Sequence, residues 1–261
     1  MLFTSIALAA GAILSPMEPS VAPPARIIIA GDSTAADYAP ERAPQTGWGQ
    51  ALRYFAPEGT EILNLAANGR STKSYRDEGR WAALLNEVQE GDTVLISFGH
   101  NDQRDDAPER YAAADGAFRE NLVAFATEVQ ARGGRPIILS SAARRLWEGP
   151  AMVETHGLYR VNAERAAGEA GARYIDLAQL SLSYFETIGR DETKADFLWL
   201  PPDPSHVRFP EGVEDNTHFS FLGACGVALI VARELNLIAE PGETEGLRPM
   251  PVEACAAELS Q

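Results

Sequence analysis

Short apolar runs alternate with amphipathic segments along most of the chain. Residues 26–30 (RIIIA) form a β-branched run that stops at Gly31, and the pattern predicts a buried strand. Residues 46–56 predict a helix, 61–66 a second strand and 81–90 a second helix. Gly91 and Asp92 then turn the chain into a third strand over 93–98 (TVLISF). Residues 115–132 predict a long amphipathic helix, with Phe118, Leu122, Phe125 and Val129 on one face and Gly133-Gly134 at its end. Residues 136–140 predict a fourth strand, 158–170 a helix, 173–177 a fifth strand and 219–237 a closing helix. Between the last two lies an irregular stretch, 191–217, with Pro201, Pro202, Pro204 and Pro210; long loops of this kind are often functional.

Strand–helix alternation argues for a parallel sheet with helices on both faces. Each strand is a continuous apolar run rather than an alternating one, as a sheet covered on both sides requires. The expected fold class is therefore α/β, a five-stranded parallel sheet in one domain over 25–240. The ends stand apart. Residues 2–14 carry no charge and are followed by small residues and prolines, so 1–24 reads as a signal peptide, though no Lys or Arg precedes the apolar run. A stray N-terminal arm is the alternative. The apolar run is shorter than the ~20 residues a bilayer span needs. Residues 241–261 read as a tail packed on the domain. Cys225 and Cys255 either form one disulfide in an exported protein or remain two unrelated thiols.

Charge narrows the partners. A net charge of −15 repels phosphate backbones, which argues against nucleic acid. No segment after the first suggests a membrane span. The chain is read as a secreted or periplasmic monomer.

In open parallel sheets, ligands bind beyond the carboxyl ends of the strands. Gly31-Asp32-Ser33 follows the first predicted strand, Asn68-Gly69-Arg70 the second and Gly99-His100-Asn101-Asp102 the third. Asp215-Asn216-Thr217-His218 precedes the closing helix. These are the parts of acyl transfer. A serine hydroxyl needs a general base, which His218 can supply with Asp215 orienting its ring. The tetrahedral intermediate needs preorganised donors, available from the backbone N–H groups of Ser33 and Gly69 and the Asn101 amide. Asp32 and Asp102 are expected to brace their loops through backbone hydrogen bonds. Trp48 and Trp81 are expected in the core.

These four blocks, in this order, resemble those of the SGNH hydrolases. The surrounding text (GDSTAADY, TGWGQ, NLAANGRS, FGHNDQ and DNTHFSFLGA) is similar to rhamnogalacturonan acetylesterase-like carbohydrate esterases, over roughly 27–237. The resemblance implies a flavodoxin-like three-layer α/β/α sandwich and no cofactor. It implies catalytic roles for Ser33, Asp215 and His218, and an oxyanion hole of Ser33, Gly69 and Asn101. The implied activity is removal of O-acetyl groups from an acetylated plant cell-wall polysaccharide or oligosaccharide, rhamnogalacturonan first and acetylxylan as the alternative.

Arg70, His206, Trp199 and Phe209 are further candidates for contact with the sugar. Rhamnogalacturonan is a polyanion, so a pectic substrate predicts a local positive groove on the rim, with Arg70, Arg76, Arg80 and Arg208 as its candidates. Two rival readings remain: a metal-dependent esterase using Asp215, His218 and His206, and a non-catalytic carbohydrate-binding module. No metal is expected, since the four histidines come without HExxH or CxxC spacing.

Overall fold

The computed structural model describes residues 26–238 and 250–260; the apolar N-terminal segment lies outside them. Strand β1 (Arg26–Gly31) leads through a loop to the short helix α1 (Trp48–Leu52), then β2 (Glu61–Asn64), α2 (Thr72–Asp77), α3 (Arg80–Glu87) and β3 (Thr93–Ser97). Helix α4 (Arg119–Gln130) follows, then β4 (Arg135–Leu139), the small pair β5 (Trp147–Glu148) and β6 (Ala151–Met152), α5 (Leu158–Ala170), β7 (Arg173–Ile175) and α6 (Leu177–Ile188). Strands β8 (Phe197–Leu200) and β9 (Val213–Phe219), α7 (Phe221–Ile238) and α8 (Val252–Leu259) complete the described chain.

The central sheet has the order β2-β1-β3-β4-β7, and every pairing is parallel. This is the flavodoxin-like order, in which the chain winds outward from β1 to one side and then the other. Side chains alternate across a strand, and the two apolar clusters follow that rule. Ile27, Ile29, Leu95, Ile137 and Leu139 face one layer with Trp48, Phe185 and Val227 of α1, α6 and α7. Ile28, Ala30, Val94, Ile96 and Ile138 face the other with Trp81, Phe125 and Ala166 of α3, α4 and α5. The expected three-layer sandwich is thus present, and Trp48 and Trp81 are in its core.

Three parts differ from the pattern reading. The stretch 191–217 is not irregular throughout: β8 and β9 form an antiparallel hairpin, with Leu198 opposite Asp215 and Trp199 opposite Glu214. Helix α6 was hidden because only Asp176 separates it from β7; Asp176 caps it by accepting from the Gln179 N–H. Helix α2 is one and a half turns of mostly polar sequence, fixed by Ser71 and Ser74 each accepting the other's backbone N–H.

The apolar helix α7 is long and apolar enough to cross a membrane by composition. Here it is a core helix, with Cys225, Val227, Val231 and Leu235 buried in the first cluster. Cys225 is disulfide-bonded to Cys255, which secures α8 against α7.

Candidate active site

The β1 and β3 carboxyl ends lie side by side at the point where the winding reverses. Ser33 stands just beyond β1 and Asn101 beyond β3. Asp32 shapes the first turn: its Oδ1 accepts from the Thr34 N–H at 2.9 Å and the Thr34 hydroxyl at 2.8 Å, while its carbonyl accepts from the N–H groups of Ala35 and Ala36. Tyr38 donates its hydroxyl to the Ser33 carbonyl at 2.7 Å.

The TGWGQ segment locks this turn to β9. Trp48 N–H donates to the Thr34 carbonyl and Thr46 N–H to the Phe219 carbonyl. Gly47 is needed there, because a Cβ would lie 2.3 Å from the Ala36 carbonyl oxygen.

Asp215 and His218 precede the closing helix as expected, but they sit on strand β9 rather than in an irregular loop. His218 Nε2 is 2.9 Å from Ser33 Oγ, and its Nδ1 is 2.7 Å from Asp215 Oδ2. The other Asp215 oxygen accepts from the N–H groups of Thr217 and His218. Burial pushes the Asp215 carboxyl upward, but the His218 side chain and the backbone donors outweigh it and hold the pKa below the ordinary value. The carboxylate is therefore charged where it faces the imidazole.

Opposite, Gly69 has φ of +73°, the left-handed region that glycine tolerates best. Neither its N–H nor that of Ser33 finds an acceptor among the described residues. Asn101 donates one amide hydrogen to the Arg70 carbonyl at 3.1 Å and keeps the other. Asp102 braces the loop: its Oδ1 accepts from the Thr72 N–H at 2.9 Å and from the Thr72 hydroxyl, tying the β3 turn to the first residue of α2. Burial nevertheless pushes the Asp102 carboxyl up to about 7. Behind the serine, His100 is buried beside Asp32 and Arg144, and burial drives its pKa well below the ordinary value.

These groups open into a cleft of about 510 Å³, to which Ser33, His218, Gly69 and Asn101 all contribute. Of the four sugar-contact candidates, Phe209 lines it and the others do not. Arg70 is held by Glu78 at 3.0 Å. Trp199 donates its indole N–H to Asn216 and is flanked by the cations of Arg145 and Lys194. His206 stays on the Pro-rich hairpin loop.

The expected arginine groove also fails as drawn: Arg70 and Arg80 share Glu78, Arg76 pairs with Glu128, and Arg208 is not a lining residue. Four other arginines line the cleft instead, Arg42, Arg104, Arg110 and Arg144. Arg144 follows β4 and was open to the same strand-end rule that found Ser33; Arg42 and Arg110 lie in longer connections and carry no motif. Among the described residues, no group of three or more His, Cys, Asp or Glu side chains is placed to hold a metal ion.

The hydrogen-bonded Ser33–His218–Asp215 chain thus stands at the switch point of a flavodoxin-like sheet, and the GDSL-like lipase/acylhydrolase family matches residues 29–223. The chain belongs to this family. As a GDSL-like acylhydrolase it is a carboxylic ester hydrolase. Rhamnogalacturonan acetylesterase RhgT of Bacillus subtilis (strain 168) is 36% identical over 219 residues, covering 84% of this chain and 92% of the relative. A rhamnogalacturonan acetylesterase of Emericella nidulans is 32% identical over 201 residues, 69% of this chain and 77% of the relative. Among solved structures, protein YXIM from Bacillus subtilis superposes with a TM-score of 0.71 at 25% identity, covering 84% of this chain and 58% of that one.

Proposed function

We propose that the protein is an exported serine esterase that removes O-acetyl groups from rhamnogalacturonan, with Ser33 as nucleophile. The observation that carries the mechanism is the hydrogen-bonded chain from Ser33 Oγ through His218 to Asp215. His218 Nε2 accepts the serine proton as Oγ attacks the acetyl carbonyl. The charged Asp215 fixes the ring with its proton on Nδ1 and stabilises the imidazolium.

The oxyanion is received by the N–H groups of Ser33 and Gly69 and the second amide hydrogen of Asn101. His218 then protonates the departing sugar oxygen. It next takes a proton from the water that attacks the acetyl-enzyme, and returns it to Ser33 Oγ as the C–Oγ bond breaks and acetate leaves. Every step uses groups of this chain.

The sugar is assigned from the two rhamnogalacturonan acetylesterases that the chain resembles over most of its length. Export is supported by the Cys225–Cys255 disulfide, since such bonds persist in oxidising compartments.

The test is acetate release from acetylated rhamnogalacturonan, acetylxylan and p-nitrophenyl acetate by the wild type and Ser33→Ala. The variant is expected to keep its fold and lose all three activities. Wild-type activity in Ser33→Ala would overturn the mechanism. A wild type that deacetylates xylan alone would overturn the substrate.

A further inference from the structure

The cleft is charged against the rest of the molecule. The chain carries a net −15, yet the cleft takes four arginines and a single carboxylate, Asp215, which is engaged with His218. Low-dielectric cleft walls focus such a field.

The four arginines are not equivalent. Arg104 is neutralised by a two-pronged pair with Asp106, both contacts at 2.8 Å. Arg42 is held by a neutral group, the Gln45 side-chain oxygen, through Nε and Nη2, and lies over the Tyr38 ring. Arg144 is also held by neutral groups. Nη1 donates to the Thr155 hydroxyl and Nη2 to the His100 carbonyl, and both donate to the Gln103 oxygen once that amide is turned to face them.

Arg110 differs again. Its guanidinium makes no hydrogen bond among the described residues; it pairs with the exposed Glu109, 3.4 Å from Nε, and its charge also reaches the exposed Asp106 carboxylate that Arg104 holds. A pair so exposed holds an arginine weakly. Yet this guanidinium is stationed over the ester site, because a Cβ on Gly69 would lie 3.4 Å from Arg110 Nη1. A weakly held planar fork beside Gly69, in a cleft also lined by two positive charges fixed by neutral partners, is built to receive a planar anion.

We propose that Arg110, supported by Arg42 and Arg144, binds the carboxylate of a uronate residue at or next to the acetylated sugar. This rests on the rhamnogalacturonan reading and names how that substrate is selected. The carboxylate takes two parallel N–H···O bonds from Arg110, and the acetyl group a sugar hydroxyl away is thereby held over Ser33. The contact is made by substrate and transition state alike, so it acts mainly on KM.

The experiment compares acetylated rhamnogalacturonan oligosaccharides with the same oligosaccharides after reduction of their carboxyl groups to alcohols. Wild-type kcat/KM is expected to be about tenfold or more higher on the acidic form, the size of a charge-assisted hydrogen-bonded pair. Arg110→Gln is expected to bring that ratio close to one, chiefly through KM, and Arg110→Lys to restore part of it. Equal wild-type rates on both forms would overturn the carboxylate site while leaving the esterase reading intact. So would a ratio unchanged in Arg110→Gln whose melting temperature matches wild type. Hydrolysis of p-nitrophenyl acetate with no acetate from either oligosaccharide would instead overturn the substrate reading on which the site rests.

Discussion

Arg145 holds Asn216 twice. Its backbone N–H donates to the Asn216 carbonyl at 2.8 Å, and its Nη1 donates to Asn216 Oδ1 at 3.2 Å. Asn216 follows Asp215 and stands two residues before His218, so the segment carrying the proposed base is keyed to the loop after β4. The same guanidinium reaches Thr193 Oγ1 through Nε and stacks over Trp199, whose own N–H reaches Asn216. Arg145 is 7% exposed. Its cost in desolvation is offset only while these partners are in place.

Arg145→Met therefore removes the side-chain hydrogen bonds to Asn216 Oδ1, Thr193 Oγ1 and the Arg190 carbonyl, and leaves the buried Thr193 hydroxyl without its charged partner. A loss of about 2–3 kcal/mol is expected, or roughly 5–10 °C in melting temperature for a chain of this size. Because β9 loosens where His218 sits, kcat on p-nitrophenyl acetate should fall by more than KM rises. Thermal unfolding and steady-state kinetics check both, and a variant with wild-type melting temperature and kcat would show that Asn216 is held adequately without Arg145.

Asn101 offers a second test. Its amide is oriented by the Arg70 carbonyl, leaving one N–H for the proposed oxyanion. Asn101→Ala should lower kcat about 10²–10³-fold with little change in KM, since the donor acts in the transition state. An undiminished kcat would remove Asn101 from the oxyanion hole.

The sheet was legible because Ile27, Ile28 and Ile29 and their counterparts in β3 and β4 are apolar on both faces, which few other structures demand. The site blocks were legible because they fall at strand ends. What escaped notice had weaker local signals. Helix α6 abuts β7 with no turn residues other than Asp176. Strand β9 reads VEDNTHF, polar at most positions, and becomes a strand only by pairing with β8. The arginines were misassigned because charge in sequence does not reveal which partners neutralise it. Arg70 follows Gly69 and could equally have met the sugar or a local acid; in the fold it pairs with Glu78 at the far end of α2. Arg110, eight residues past Asp102, reaches Gly69 only in the fold.

Asp196 allows a prediction whose sign depends on pH. It is 1% exposed, neither carboxyl oxygen has a hydrogen-bond partner, and burial pushes its pKa up to about 7 from an ordinary value of 3.8. Between those values the unfolded chain releases this proton and the folded chain keeps it, so the group's contribution to stability falls as pH rises through the window. Asp196→Asn cannot ionise. It should stabilise the fold at pH 8 by an amount on the order of 1–3 kcal/mol, read as a higher melting temperature. The gain should shrink as pH falls and vanish near pH 4. Carboxylates shifted the other way, such as Asp215, are common to both proteins and cancel in the difference. A gain independent of pH, or a loss at pH 8, would show that Asp196 is not a buried charge in the folded protein.

The disulfide joins α7 to α8 across a separation of 30 residues. Closing a loop of that length constrains the unfolded chain by about 3–4 kcal/mol. Cys225 is buried in the first core cluster, does not line the cleft, and is bridged to Cys255, the one buried residue of α8. Cys255→Ser leaves a polar hydroxyl where a sulfur was packed and frees α8, so the melting temperature should fall by roughly 7–15 °C. Because β9 is anchored by Thr46, Asn216 and the β8 pairing rather than by α8, kcat at 25 °C should stay within about twofold of wild type, a margin well below the tenfold that 1.4 kcal/mol would produce. Thermal unfolding under oxidising and reducing conditions, with p-nitrophenyl acetate turnover at 25 °C, separates the two effects. Equal melting temperatures with and without reductant in the wild type would show that the bridge does not contribute to stability, and a large loss of kcat in Cys255→Ser would show that α8 supports the site through α7.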